Sequence, residues 1–600
     1  MAVDTIPARF LAQARVRPQA IAYGLKQGGQ WQKVTWAAYV AEVRRAARAL
    51  IQQRFQPGDK VAILGQNRPE WVMLDMAAMC AGGVAAGIYT TSSPSEVQYI
   101  VDHCEAAFVL VENTAQWEKI KAERQRLPRL RHVIFMRGAA VPNDPLAISW
   151  DGFLSLGDGV GDRVVDERVA NLVKEQPATF IYTSGTTGPP KAVMLSHENI
   201  IWTASNAAEF VGLSEQDRVV SYLPLSHIAE QMFSVHGPAV CGASIHFAES
   251  LEKLREALVE VRPTVLFGVP RVWEKFYEGI RPRLEAATGV KAALAKWARN
   301  VGTEANRLKA RNQPLPLALE LQYKLAQRLI FTKLRAALGL DQTRIFVSGA
   351  APITRDVLEF FASLDIVIQE VYGQSEDCGP TTFNRAGAIR FGTVGQPIPD
   401  VEVRIADDGE ILVRGRNVFL GYYKEPAATA EALEDGWLHS GDLGTIDSEG
   451  FLHITGRKKE IIITAGGKNI APNNIEEQLK GLPLVADAVV IGDRRKYLVA
   501  LITLKQEEAQ KFVEAKGAGG GPLHESPVIE AELKAGLERV NEELSRVETI
   551  RRFRVLPGNF SIDGGELTPT MKLKRKVIAH KYEREIESLY AAGEGQVGAA

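Results

Sequence analysis

Short apolar runs alternate with helical stripes along most of this chain, and that alternation constrains the fold more than any other feature. WAAYVAEVRRAARALIQQ sets Tyr39, Val40, Val43, Ala47, Leu50 and Ile51 on one face of a helix. KVAILG follows as a buried strand, and PEWVMLDMAAMC as the next helix. SSPSEVQYIVDH opens another helix, with Ser93 as cap, Pro94 in the first turn and Glu96 closing a capping box. AAFVLV, HVIFM and ATFIY read as further buried strands. Strands apolar on both faces and separated by helices belong to largely parallel, covered sheets, so the fold class is α/β.

At 600 residues the chain is too long for one compact core, and at least two domains are expected. The texture changes beyond about residue 400. VEVRIADDGEILVRG reads as a short β segment. VADAVVIGD, YLVALITLK and an amphipathic helix near 527–547 read as a smaller α+β unit. The expected division is a large domain of layered α/β sheets over 1–457 and a small α+β domain over 458–600. KGAGGGP (516–522) reads as a surface loop and AAGEGQVGAA as a frayed tail. Residues 281 to about 340 are helical and rich in Lys and Arg, with few acids. They form either a solvated insertion or a basic face that meets a membrane or an acyl donor.

Lys plus Arg is 71 and Asp plus Glu is 72, so no global field draws the protein to nucleic acid. An anionic partner must be held by a local site. Cys80, Cys104, Cys241 and Cys378 lie far apart without a CxxC pair. That spacing fits reduced thiols in a cytoplasmic setting rather than a disulfide framework or a zinc site. MAVDTIPARF lacks the pattern of a signal peptide, and the run AAMCAGGVAAGIY is too short to span a bilayer. Peripheral membrane contact and a homodimer stay open.

YTSGTTGPPKAVMLSHENI (182–200) has the glycines, hydroxyls and lysine of a phosphate cradle. It departs from the G-x-x-x-x-G-K-[ST] loop, because Pro189 and Pro190 interrupt the amides and Ala192 replaces the magnesium-binding hydroxyl. Thr183, Ser184, Gly185, Thr186, Thr187 and Gly188 remain as a hydroxyl-rich loop after a strand, with Lys191 as its charge. Such a loop can wrap a polyphosphate.

This stretch resembles the phosphate-binding signature of the adenylate-forming superfamily, and further motifs follow in that family's order. VSGAAPI (347–353) resembles the segment along the adenine, with Gly349, Ala350 and Ala351 allowing the base to approach. VYGQSED (371–377) is similar to the YGxTE motif. The likeness implies Tyr372 stacked on adenine, Gly373, Gln374 and Ser375 at the nucleotide, and Glu376 with Thr183 on magnesium; Ser375 stands where threonine is usual. WLHSGDLG (437–444) and GRKKE (456–460) imply Asp442 and Arg457 at the ribose and Lys459 at a hinge. ELTPTMKLKRKVI (566–578) occupies the catalytic-lysine region, with Met571 replacing the family's glycine. The spacing to Arg575 selects Lys572, with Lys574 as the alternative.

LPLSHIAEQ (223–231), FGVPRVWEKF (267–276) and ITAGGKNIAPNNIE resemble the long-chain fatty acyl-CoA synthetase branch, nearest to its bubblegum-type members. By that resemblance His227 lies near the carboxylate, Trp273 borders an acyl tunnel, and the small domain is mobile. The implied reaction consumes a fatty acid, ATP with Mg2+, and coenzyme A. A fatty acyl-AMP ligase serving a carrier protein and a non-catalytic acyl- or nucleotide-binding relative are the alternatives.

Overall fold

The computed structural model describes residues 4–183, 189–465, 468–562, 564–568 and 572–594, without the side chains of the last three. Its largest sheet has eight strands. Six run parallel, in the order Pro177–Thr183, Val84–Ile88, Lys60–Leu64, Phe108–Val111, His132–Phe135 and Ala147–Ser149. Lys191–Ser196 then pairs antiparallel with Pro177–Thr183, and Gly421–Tyr422 closes that edge. The helix Pro69–Cys80 carries no polar face and is buried along its whole length. Ser93 and Glu96 form the expected capping box.

A second sheet runs parallel through Val265–Gly268, Ile345–Ser348 and Ile368–Tyr372 before two short antiparallel strands. The segments 349–353 and 373–377 therefore leave the carboxyl ends of two adjacent parallel strands, where open α/β sheets bind ligands. A third sheet pairs Trp437–Ile446 with Leu452–Arg457 and sets Asp442 opposite Arg457.

From Ile462 onward the chain builds hydrophobic clusters of its own. Their frame is the sheet Val485–Ile491, Leu498–Leu504 and Ile550–Val555, flanked by the helix Pro527–Glu543. A Lys505–Glu278 ion pair at 3.2 Å ties this unit to the helix Pro270–Glu285 of the larger one. All four cysteines are free thiols. Among the described residues no helix is long and apolar enough to cross a membrane.

Candidate active site

Thr183 and Lys191 end two antiparallel strands as register partners, and the Thr183 hydroxyl donates to the Lys191 carbonyl at 3.5 Å. Ser184, Gly185, Thr186, Thr187 and Gly188 lie outside the described residues. The Lys191 ammonium sits 5.1 Å from the centroid of the Tyr422 ring. The Tyr422 hydroxyl donates to the Glu376 carboxylate at 2.8 Å. Burial, then the charge of Glu376, pushes the phenol pKa well up, so Tyr422 stays a donor. No sequence motif marks Tyr422. It reaches the site only because Gly421–Tyr422 joins the edge of the main sheet, a pairing without a local motif.

The nucleotide side is shaped by close backbone approach. A Cβ added to Gly373 would lie 1.5 Å from the Gly379 carbonyl oxygen, so the turn after Tyr372 tolerates no side chain. At Gly349 an added Cβ would meet Val371 at 2.6 Å. Ala350 takes a left-handed backbone, with φ 69°, and lines the cavity with Ala351. The Tyr372 hydroxyl donates to Asp442 at 2.9 Å, and Arg457 Nε donates to its other oxygen at 2.7 Å. The Asp442 charge raises the Arg457 pKa. Gln374 is held by Asp377, which accepts from the Gln374 N–H at 2.7 Å and from Thr381 at 2.5 Å, and Ser375 follows it on the cavity wall. Burial raises the Asp377 carboxyl to about 8.

His227 and Lys572 meet across the two units. The Ala229 N–H donates to His227 Nδ1 at 3.2 Å, which assigns the ring proton to Nε2. Burial, then the neighbouring Lys572 charge, lowers the His227 pKa to about 4. The ring is therefore neutral at pH 7 and offers Nε2–H as a donor. Lys572 is accessible, but the surface it exposes faces the cavity. Desolvation by the surrounding protein, then Arg457, lowers its pKa, while Asp442, Glu376 and Glu460 oppose that shift. Lys574 caps the helix Arg575–Lys581, its N–H bound to the Glu566 carbonyl at 2.7 Å. Arg575 pins this segment by a buried pair with Glu476 and by a 3.0 Å bond to the Val490 carbonyl.

Behind His227 lies a polar network that no sequence pattern announced. Glu230 is buried and accepts from Ser221 and Ser234, each at 2.6 Å, and from Asn67 at 3.3 Å. Asn67 also donates to the Leu223 carbonyl at 2.6 Å, so the loop carrying His227 is fastened to the main sheet. Burial raises the Glu230 carboxyl from 4.5 to about 7.

One cavity of about 1370 Å3 joins these groups. Lys191, His227, Tyr372, Glu376, Asp442, Arg457 and Lys572 line its polar end. An apolar arm runs between the helix His197–Val211, contributing Ala204, Ala208 and Val211, and the strand residues Val265, Phe267 and Val347. Trp273 is off this wall. It is fully buried behind the strands, its indole N–H shared between the Gly268 carbonyl at 3.2 Å and that of Val347 at 3.3 Å. Lys459 lies in the turn Lys458–Glu460 between the two units, 73% exposed and 3.6 Å from Glu431. Lys458 beside it is fixed to Asp408 at 2.7 Å and Glu410 at 2.8 Å.

The donors around Glu376 are hard oxygens. Among the described residues no group of three or more His, Cys, Asp or Glu could hold a metal ion unaided. The Glu376 carboxylate on the cavity wall fits Mg2+, which keeps waters and shares substrate oxygens.

The chain belongs to the AMP-binding enzyme family, which matches residues 10–423, and the family's C-terminal domain matches residues 459–594. It is 41% identical to the long-chain-fatty-acid–CoA ligase ACSBG2 of Xenopus laevis, over 95% of this chain and 81% of that one. It is 38% identical to the long-chain-fatty-acid–CoA ligase FadD15 of Mycobacterium bovis, over 98% and 97%. Its fold matches that of o-succinylbenzoate-CoA synthetase from Bacillus subtilis, solved with ATP and magnesium. The TM-score is 0.66, with 22% identity over 95% of this chain and 98% of that one.

Proposed function

We propose that the chain is a long-chain fatty acid–CoA ligase that forms an acyl-adenylate from ATP and passes the acyl group to coenzyme A. The observation that carries this reading is the cavity in which an apolar arm opens onto Lys191, Arg457 and Lys572 and onto the Glu376 carboxylate. Identity to long-chain-fatty-acid–CoA ligases across almost the whole chain supports the same substrate class.

A carboxylate resists nucleophiles because it is already negative and oxide is a poor leaving group. Attack of its oxygen on the α-phosphorus of ATP expels pyrophosphate and leaves a mixed anhydride. Charge spreads over phosphate oxygens in the transition state, so positioned donors matter most. Lys191 and the 183–188 loop serve the leaving phosphates, and Lys572 enters from the small domain. Neutral His227 donates Nε2–H to a substrate oxygen. Tyr372, Gly349, Ala350 and Ala351 flank the base, and Asp442 with Arg457 takes the ribose. Glu376, oriented by Tyr422 and with Thr183 on the same wall, would hold a Mg2+ that neutralises phosphate charge when bound.

The thiol of coenzyme A then attacks the acyl carbonyl and AMP leaves. Lys572 fills part of the cavity in this conformation, so the second step needs the small domain, 458–600, to turn away from 1–457. Lys459 suits that pivot, being exposed beside the fixed Lys458.

The test is incubation with ATP, Mg2+ and a ladder of fatty acids, with and without coenzyme A. Pyrophosphate release with long-chain acids, and thioester only when coenzyme A is present, is expected. Pyrophosphate without thioester would make the chain an acyl-AMP ligase. No pyrophosphate with any acid would make it a non-catalytic binding protein.

A further inference from the structure

The basic insertion forms a hairpin of the helices Gly289–Ala310 and Leu317–Ala326, the second continuing through Gln327–Phe331 and Thr332–Ala337. Residues 289–339 hold ten Lys or Arg against two Glu, a net charge of +8 in a chain that totals −1. Lys291, Lys296, Arg311, Arg328 and Lys333 are exposed and make no ion pair among the described residues.

The inner face of the hairpin is closed by Ala298, Val301, Ala305, Tyr323, Ala326 and Phe331. The outer face is not. Leu317, Leu321, Leu325 and Leu329 are 80%, 69%, 49% and 38% exposed, and Val290 on the first helix is 85% exposed. Spacing of four keeps these leucines on one stripe, and Lys324 and Arg328 share it. The inward side is already filled, so among the described residues this stripe stays largely uncovered, as an exposed apolar ridge.

We propose that this ridge docks on an anionic lipid bilayer. Leucines standing beside cations, the unpaired Arg328 and the Glu320-paired Lys324 here, are what an interfacial helix presents, with apolar side chains entering the acyl region and charged groups level with the headgroups. An acidic carrier protein would answer the cations alone; hydrocarbon also answers the leucines. The hairpin is anchored to the helix Arg355–Ser363 through an Asn306 bond to the Ala362 carbonyl at 2.8 Å. Arg355, the first residue of that helix, lines the cavity. Docking therefore sets the bilayer against an element that borders the cavity.

Co-sedimentation of the full chain with vesicles tests this, in the absence of ATP, coenzyme A and fatty acid. Phosphatidylcholine vesicles are compared with vesicles of phosphatidylcholine and phosphatidylglycerol. Wild type should bind the anionic vesicles and release at high salt. The triple variant Leu317→Ser, Leu321→Ser, Leu325→Ser should partition about tenfold less. The pair Arg328→Glu, Lys333→Glu should lose the anionic preference. Both variants should keep fatty-acid-dependent pyrophosphate release without vesicles, which certifies their folding. Equal vesicle binding by wild type and the leucine variant overturns the proposal, as does failure of wild type to bind. Leucine-dependent self-association, or capture of an acidic carrier protein without vesicle binding, would give the ridge to a protein partner and also overturns it.

Discussion

Replacing Tyr422 with phenylalanine removes one hydroxyl and leaves the ring. The hydroxyl donates to the Glu376 carboxylate at 2.8 Å, a bond to a charged acceptor worth about 1.5–3 kcal/mol. The ring keeps its place 5.1 Å from the Lys191 ammonium. Phenylalanine therefore separates the orientation of Glu376 from the placement of Lys191. Cavity water can take the vacated position, so the lower end of the range applies and adenylation should fall about tenfold. Tyr422→Ala removes the ring as well and should fall further, by roughly another 0.5–2 kcal/mol of cation–π contact. Fatty-acid-dependent ATP–pyrophosphate exchange, titrated with magnesium, reads both effects. The phenylalanine variant should need more magnesium for half-maximal exchange. An unchanged magnesium requirement, or equal losses in the two variants, would refute the reasoning.

Two further outcomes follow from buried charges. Burial raises the Glu230 carboxyl from 4.5 to about 7, so its contribution to stability is full below pH 4.5 and is lost as pH rises through about 7. That shift is worth about 3 kcal/mol. Glu230→Gln should therefore flatten the decline in melting temperature between about pH 5 and 8; a slope equal to wild type would mean the carboxyl does not titrate there. Breaking the Arg575–Glu476 pair with Arg575→Ala strands a buried carboxylate at a cost of about 3–5 kcal/mol. Hydrogen exchange should rise in residues 462–594 and stay constant in the large domain. A loss of protection spread evenly over both would show that Arg575 does more than pin the Lys572 segment.

The fold was readable because its strands are apolar on both faces and its helices carry caps. Helix Pro69–Cys80 and the Ser93 capping box follow directly from local pattern. The site residues that sit in motifs were readable for a related reason. Gly373 is constrained by close backbone approach and Gly349 by the Val371 residue packed against it, and such constraints leave fixed residue types at fixed spacing. Tyr422, Glu230 and Asn67 left no such trace. Tyr422 meets Glu376 from 46 positions away through an edge strand, and Asn67 reaches Glu230 across 163. Those pairings depend on sheet order, which a single sequence does not encode locally. Trp273 shows the converse. Its motif was visible, but the packing of Gly268 and Val347 around the indole was not. The leucines of the basic hairpin follow an ordinary helical spacing in sequence, and their exposure is a property of the packed fold.

The central claim is that Lys572 serves adenylation and leaves the thiol step to a different arrangement of the small domain. Lys572→Ala tests it most directly, with both half-reactions measured on one preparation. Fatty-acid-dependent ATP–pyrophosphate exchange should fall by about a hundredfold or more. Thioester formation from supplied acyl-AMP and coenzyme A should stay within a few-fold of wild type. Equal loss in both half-reactions, or an intact exchange in Lys572→Ala alongside its loss in Lys574→Ala, would contradict the account.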